Sequence, residues 1–347
     1  MKGVIITCTR PLIRAETFES YINKKGGLSY KVEWLQRDFY DDCMKTEKGR
    51  KYLKMKWRRV EPVPCGKCKE CLLNYSREWA KDCMLEKQYY PETECWFITL
   101  TYNDENLPFN TWVNKETGEF TRGASLRKQD LQNFWKRVRK KYPEQRIVYL
   151  NVGEYGSETQ RPHYHAVVFG LPLDITKFKK IGINENGDAL WTSPELQQLW
   201  SLRKNGKYYP IGNVQIGRVT YKSVAYTCRY ALKKAKGQDK TWQMLNGRQP
   251  EFISMSQGIG YRYYRDYAKQ MIETDMVPTP IGLKPIPRRF LRILKEQEPE
   301  LYEAIKRKRK QDARTAQLNN KTDLCPEEQR KQKESIYEAA FKDMRRL

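Results

Sequence analysis

The chain has 347 residues, enough for one or two domains with a real hydrophobic core. Its 66 Lys and Arg against 42 Asp and Glu leave a net charge of +24, and 12% of its residues are aromatic. A field of that sign draws polyanions and the rings offer stacking surfaces, so nucleic acid is the expected partner. A membrane protein is disfavoured, because the charge is spread throughout and no apolar run approaches the roughly 18 residues that span a bilayer.

Residues 1–90 read as irregular, basic and aromatic, and hold six of the nine cysteines. Val4-Ile5-Ile6 is too short for a signal-peptide core, so the chain is expected to stay in a reducing cytoplasm. An odd number of thiols there points to metal ligation or free thiols rather than disulfides. Cys65-Gly-Lys-Cys68-Lys-Glu-Cys71 has the tight spacing of a thiolate knuckle, but a structural zinc takes four ligands. Cys8, Cys43, Cys83 and Cys95 are the candidates for the fourth.

Cys95-Trp-Phe-Ile-Thr-Leu-Thr-Tyr102 reads as a buried strand. A helix is predicted over 125–142, with Ser125 as N-cap, an apolar stripe of Leu131, Phe134, Trp135 and Val138, and a basic outer face. Strands are predicted over 146–152 and after His165, joined by a turn over 153–160 into an antiparallel hairpin. A short helix near 193–200, a strand near 213–219 and a helix over about 221–236 follow. This order predicts an α+β fold, with helices packed on an antiparallel sheet. Four prolines within 276–287 mark a boundary, and charged helices are expected over about 288–315 and 326–346. The run Lys306-Arg-Lys-Arg-Lys310 reads equally as a solvated face or a phosphate-contacting one. The expected organisation is a cysteine-rich segment at 1–90, a catalytic domain at 91–275 and a basic helical extension at 276–347.

The chain's two histidines are His163 and His165, in Arg161-Pro-His-Tyr-His-Ala-Val-Val-Phe-Gly170. On a strand, residues i and i+2 share a face, so both imidazoles point one way and Tyr164 the other. Two imidazoles rarely hold a divalent ion without a carboxylate. Glu154, nine residues earlier, is brought back beside them by a hairpin of that size, with Glu158 as the fallback. Such a site with open positions suits Mn²⁺ or Mg²⁺ where a phosphodiester supplies further oxygens. In the predicted 221–236 helix Tyr226 and Tyr230 are one turn apart, and Lys233 lies on their side. A phenol has an ordinary pKa near 10, but beside a polarised phosphate and a lysine its phenolate becomes accessible.

These residues resemble a known family. His163-Tyr164-His165 is similar to the "HUH" motif of single-strand DNA endonucleases, and Tyr226, Tyr230 and Lys233 resemble their two-tyrosine nucleophile motif. Phe97-Ile-Thr-Leu-Thr-Tyr102 resembles the first motif of rolling-circle replication initiators. Pro64-Cys-Gly-Lys-Cys-Lys-Glu-Cys71 and Met255-Ser-Gln-Gly-Ile-Gly260 are similar to segments of the initiators of gokushovirus-type microviruses, and the likeness covers roughly 60–275. The middle residue of the metal motif is Tyr164 rather than an aliphatic one, which matters little if it faces away.

The resemblance implies a ferredoxin-like (RRM-like) core in which His163, His165 and Glu154 hold Mg²⁺ or Mn²⁺ and Tyr226 and Tyr230 attack the origin phosphate in turn, with Lys233 assisting. It also favours Cys8 as the fourth partner of Cys65, Cys68 and Cys71 around a structural zinc, since the family has an N-terminal cysteine. The implied partners are a single-stranded DNA origin, phage replicative-form DNA, and a polymerase and helicase in the cytoplasm of a bacterial host. Helicase activity is not expected of the chain itself, which has no Gly-x-x-x-x-Gly-Lys-Ser/Thr loop. A plasmid relaxase or a transposase of the same class is the enzymatic alternative. A non-catalytic, zinc-stabilised nucleic-acid-binding protein is the alternative from another class.

Overall fold

The computed structural model describes residues 8, 11–24, 26–113, 117–156, 158–184, 187–225, 227–228, 247–278 and 282–319, with 328, 331, 332 and 335 beyond them. The described residues fall into two compact units. Those within Met1–Leu72 and Arg307–Asp343 form one, and those within Leu73–Lys306 form the other.

In the first unit β1 (Leu12–Ile22) pairs antiparallel with β2 (Leu28–Leu35) and with β3 (Arg59–Val63). Between β2 and β3 lie the helices α1 (Arg37–Lys45) and α2 (Glu47–Lys56). Ala15, Leu53 and Trp57 form its small buried core. The expectation of irregular structure over 1–90 is therefore corrected. The signal was present but weak: Asn23-Lys-Lys-Gly-Gly27 is a turn, with Gly26 at φ +77° and Asn23 Oδ1 accepting from the Gly27 N–H. The strands it joins carry so many exposed polar and aromatic residues that their alternation is hard to see. A long helix, α3 (Lys69–Lys87), leads into the second unit.

The second unit is built on a seven-stranded sheet. Its strands are β4 (Cys95–Leu100), β5 (Val148–Tyr155), β6 (Pro162–Phe169), β7 (Lys179–Ile183), β8 (Ala189–Thr192), β9 (Val214–Arg218) and β10 (Phe252–Met255). Their order is β10-β5-β6-β4-β9-β8-β7, and each neighbouring pair is antiparallel. The three central strands are nearly all apolar because both sheet faces are covered.

On one face, Trp96, Ile98, Leu100, Ala166 and Val168 meet Leu131, Phe134, Trp135 and Val138 of α4 (Lys128–Lys141). On the other, Leu150, Val152, Val167 and Phe169 meet Ala80, Cys83 and Met84 of α3, together with Val224 and Cys228. The apolar stripe of α4 is as predicted, but its start is not. Arg127 occupies the N-cap without a side-chain cap bond, and the Ser125 hydroxyl accepts from the Gln249 N–H at 3.1 Å instead. What ties down the start of α4 is Tyr164, whose buried hydroxyl accepts from the Arg127 N–H at 3.0 Å and lies 2.8 Å from the Tyr102 hydroxyl.

Further along, α5 (Pro194–Leu199) is capped by Ser193, and α6 (Tyr261–Asp266) and α7 (Ala268–Thr274) follow β10. The helix predicted over 288–315 is two, α8 (Arg288–Gln297) and α9 (Pro299–Asn319), because Pro299 has no N–H to continue the ladder. The molecule is thus α+β with a large antiparallel sheet.

Candidate functional site

Strands β5 and β6 form a hairpin closed by a turn over 156–161, with Gln160 in the left-handed region at φ +54°. β5 runs two residues past Gly153, further than the sequence predicts, so Glu154 is a strand residue and not part of the turn. Its register partner is His163, and that of Val152 is His165. Directly opposed residues of an antiparallel pair project from the same face, so the carboxylate and both imidazoles leave the sheet together.

The geometry is convergent. Glu154 Oε1 lies 3.0 Å from Nε2 of His163 and 3.0 Å from Nε2 of His165. The two imidazole rings are 5.0 Å apart and nearly perpendicular. Each is oriented from behind: His165 Nδ1 is 2.9 Å from the Thr99 hydroxyl, and His163 Nδ1 donates to the Arg161 carbonyl at 3.3 Å. Phe97 stacks on the His165 ring at 5.4 Å. With Nδ1–H committed behind, a neutral imidazole turns its Nε2 lone pair toward the shared carboxylate, which is how metal-ligating histidines are held.

Burial pushes the Glu154 carboxyl up, but hydrogen bonds from both imidazoles outweigh it and hold the group down at about 2. Burial likewise lowers His163, and its hydrogen bond and charge attraction to Glu154 overcome this and raise it. In the ion-free protein, protons fill the gaps between Nε2 and Oε1. A divalent cation fits the same place. The three ligand atoms lie within 4.8 Å of one another, and Glu154 Oε2 is buried with no hydrogen-bond partner among the described residues. An acceptor left so costs about 1–3 kcal/mol unless something coordinates it.

Glu158, the fallback, is exposed in the turn and takes no part. Glu251 was not anticipated. It is buried just before β10, accepts from the Tyr155 N–H at 3.0 Å, and its charge helps raise His163. The proline before an apolar edge strand, Pro250-Glu-Phe-Ile-Ser-Met255, was the available signal.

Tyr226, Tyr230 and Lys233 lie outside the described residues. Residues 221–225 and 227–228 are helical, and Val224 and Cys228 are fully buried against Leu150, Val152 and Val167. Residues 150, 152 and 154 share one face of β5, so this stretch packs on the sheet face that bears the carboxylate and the histidines.

In the first unit Cys8, Cys65, Cys68 and Cys71 come together, their sulfurs within 4.8 Å of one another. Of the four cysteines the spacing left open, Cys8 is the one placed here. Cys43 packs against the first unit's core, and Cys83 and Cys95 are in the sheet core. Zinc–sulfur bonds of about 2.3 Å put tetrahedral sulfurs about 3.8 Å apart, and Cys8 and Cys68 are separated by 3.7 Å. Gly66 holds the knuckle at φ +72°, which lets the N–H groups of Lys67 and Cys68 donate to Cys65 Sγ at 3.4 and 3.3 Å. The Cys71 thiol is pushed well up, first by its hydrogen bond with Cys8 and then by burial, and burial raises Cys65. Four thiols so placed are poor acids alone and good ligands for a cation that neutralises them.

The family model for the replication-associated protein ORF2 matches residues 95–235, a span that includes the histidine hairpin. Replication-associated protein ORF2 of Spiroplasma virus 4 is 33% identical over 289 residues, 78% of this chain and 82% of that one. Replication-associated protein VP4 of Bdellovibrio phage phiMH2K is 30% identical over 251 residues, 69% of each chain. Replication-associated protein ORF4 of Chlamydia phage 1 is 27% identical over 261 residues, 71% of this chain and 59% of that one. No solved structure matches the chain. The chain belongs to the family of replication-associated proteins of the microviruses.

Proposed function

We propose that the protein is a metal-dependent, tyrosine-type DNA endonuclease of the HUH class, which nicks the single-stranded origin of a phage genome and starts rolling-circle replication. The observation that supports this best is the convergence of Glu154 Oε1 on two imidazole nitrogens at 3.0 Å, on the sheet face that also receives the 221–228 helix. Glu154, His163 and His165 would hold the ion. When bound, Mg²⁺ or Mn²⁺ supplies polarisation of the scissile phosphate. One hydroxyl of the pair Tyr226 and Tyr230 attacks the phosphorus. The phosphorus–O3′ bond breaks, the departing 3′ oxygen gains a proton in place of the one the phenol loses, and a 5′-phosphotyrosine and a free 3′-OH result.

Lys233 steadies the phenolate by its charge. The free 3′-OH primes synthesis by a host polymerase, with duplex opening left to a host helicase in the bacterial cytoplasm. The second tyrosine then cleaves the regenerated origin, and the new 3′-OH displaces the first tyrosine to close a circle. Two nucleophiles sharing one ion suit that exchange. Cys8, Cys65, Cys68 and Cys71 form a structural zinc site in this reading.

The test incubates the protein with the single-stranded genome that encodes it and Mn²⁺, then looks for a denaturant-resistant protein–DNA adduct. The adduct is expected in the wild type, persists in either single Tyr→Phe variant, and is absent from Tyr226→Phe/Tyr230→Phe. Salt-sensitive binding with no adduct would instead identify a non-catalytic nucleic-acid-binding protein.

A further inference from the structure

Across the sheet from the histidines lies a cavity of about 300 Å³ between α4 and the edge strand β10. This is the low end of small-ligand pockets, room for one base and not for a duplex. Trp135 and Tyr149 line it as a stacked pair, with centroids 4.2 Å apart and planes at 15°. Two polar groups on its wall are buried without a hydrogen-bond partner among the described residues. One is a donor, Trp135 Nε1, and the other an acceptor, Asn151 Oδ1.

At the rim stand Lys128, Lys136 and Arg139, and none of them forms an ion pair with a carboxylate among the described residues. Arg139 lies over the Tyr149 ring at 5.3 Å, and Lys128 over Phe252 at 5.1 Å.

We propose that this cavity is a nucleotide-binding pocket that seats one unstacked base of single-stranded DNA. Aromatic walls and an unmatched donor and acceptor suit the edge and face of a base, and three cations without carboxylate partners suit the flanking phosphates. A water-filled or purely apolar cavity would leave the donor and acceptor unexplained, since native proteins rarely bury such groups without partners. The pocket is close to the histidine site along the chain: Asn151 is three residues from Glu154 on β5, about 10 Å, on the opposite face. A strand of DNA leaving that site around the β10 edge reaches the pocket within a few nucleotides. The inference does not depend on tyrosine chemistry, because it concerns binding alone.

The experiment uses the full chain and a mixed-sequence single-stranded oligonucleotide carrying 5-iodouracil at single positions, with photocrosslinked residues mapped by mass spectrometry. Crosslinks are expected at Trp135, Tyr149 or Phe252, and they should persist in Glu154→Gln, which disables the proposed nicking site. Trp135→Phe keeps the ring stack and removes only the N–H. It should weaken oligonucleotide binding about fivefold to tenfold while leaving thermal stability unchanged or slightly higher, because an unpartnered donor is gone. Lys136→Gln should lower the salt dependence of binding by about one counterion. Crosslinks confined to other surfaces, or unchanged affinity in Trp135→Phe, would overturn the proposal. Capture of free deoxynucleoside triphosphate in the pocket, with no oligonucleotide crosslink, would overturn the assignment to DNA.

Discussion

Replacing Glu154 by Gln tests the centre with little change of shape. The carboxylate is buried and its Oε1 lies 3.0 Å from both imidazoles, so its charge is the main force keeping His163 protonatable against burial. Removing the charge should drop His163 from above its ordinary value of 6.5 to below it, because desolvation then prevails. A change of one unit corresponds to about 1.4 kcal/mol. With only two histidines in the chain, their imidazole Cε1–H signals give two resolvable NMR titrations. The effect on metal binding is larger. Groups that merely orient a ligand are worth about 10–100-fold in affinity, so loss of the ligand itself should cost at least 100-fold, about 2.7 kcal/mol. Mn²⁺ should broaden both imidazole signals in the wild type at low concentration, and only at much higher concentration in Glu154→Gln. Binding should also weaken as the pH falls through the raised pKa of His163, since the proton and the ion compete for Nε2. The reasoning fails if Mn²⁺ leaves both signals sharp in the wild type, or binds the variant equally well.

Three other expectations are independent of that one. Cys71→Ser should release one equivalent of zinc from the purified protein, read with a colorimetric chelator, and should make the first unit sensitive to protease while the sheet unit survives. Asp82, buried against Tyr264 and Arg289, is pushed up to about 7, chiefly by burial, so the folded state keeps a proton that the unfolded chain gives up near 3.8. Stability should therefore fall as pH rises from about 4 to about 7 and then level off, by at most about 4 kcal/mol, and Asp82→Asn should flatten that slope in urea titrations. Tyr164→Phe leaves the Arg127 N–H without its acceptor and should destabilise the fold by about 1–3 kcal/mol in thermal melts, with Mn²⁺ binding retained because the hydroxyl lies on the far face of the sheet.

Several features of the site were readable in one dimension. The His-x-His spacing before an apolar run determines that two imidazoles share a strand face and that Tyr164 does not. The stripe Leu131, Phe134, Trp135 and Val138 determines which side of α4 is buried. These are consequences of the strand and helix repeats, and no distant contact can change them without destroying the element. Other features were not readable. Whether Glu154 or Glu158 joins the histidines depends on where β5 stops, and a slip of one residue in the hairpin would send the carboxylate to the other face. The cysteine that completes the knuckle, the arrival of Glu251 beside His163, and the cavity behind the sheet each bring together residues far apart in the chain. Periodicity carries information across one or two turns only. Closure over 57 residues, as between Cys8 and Cys65, is decided by how whole elements pack, and that became visible only once the chain was folded.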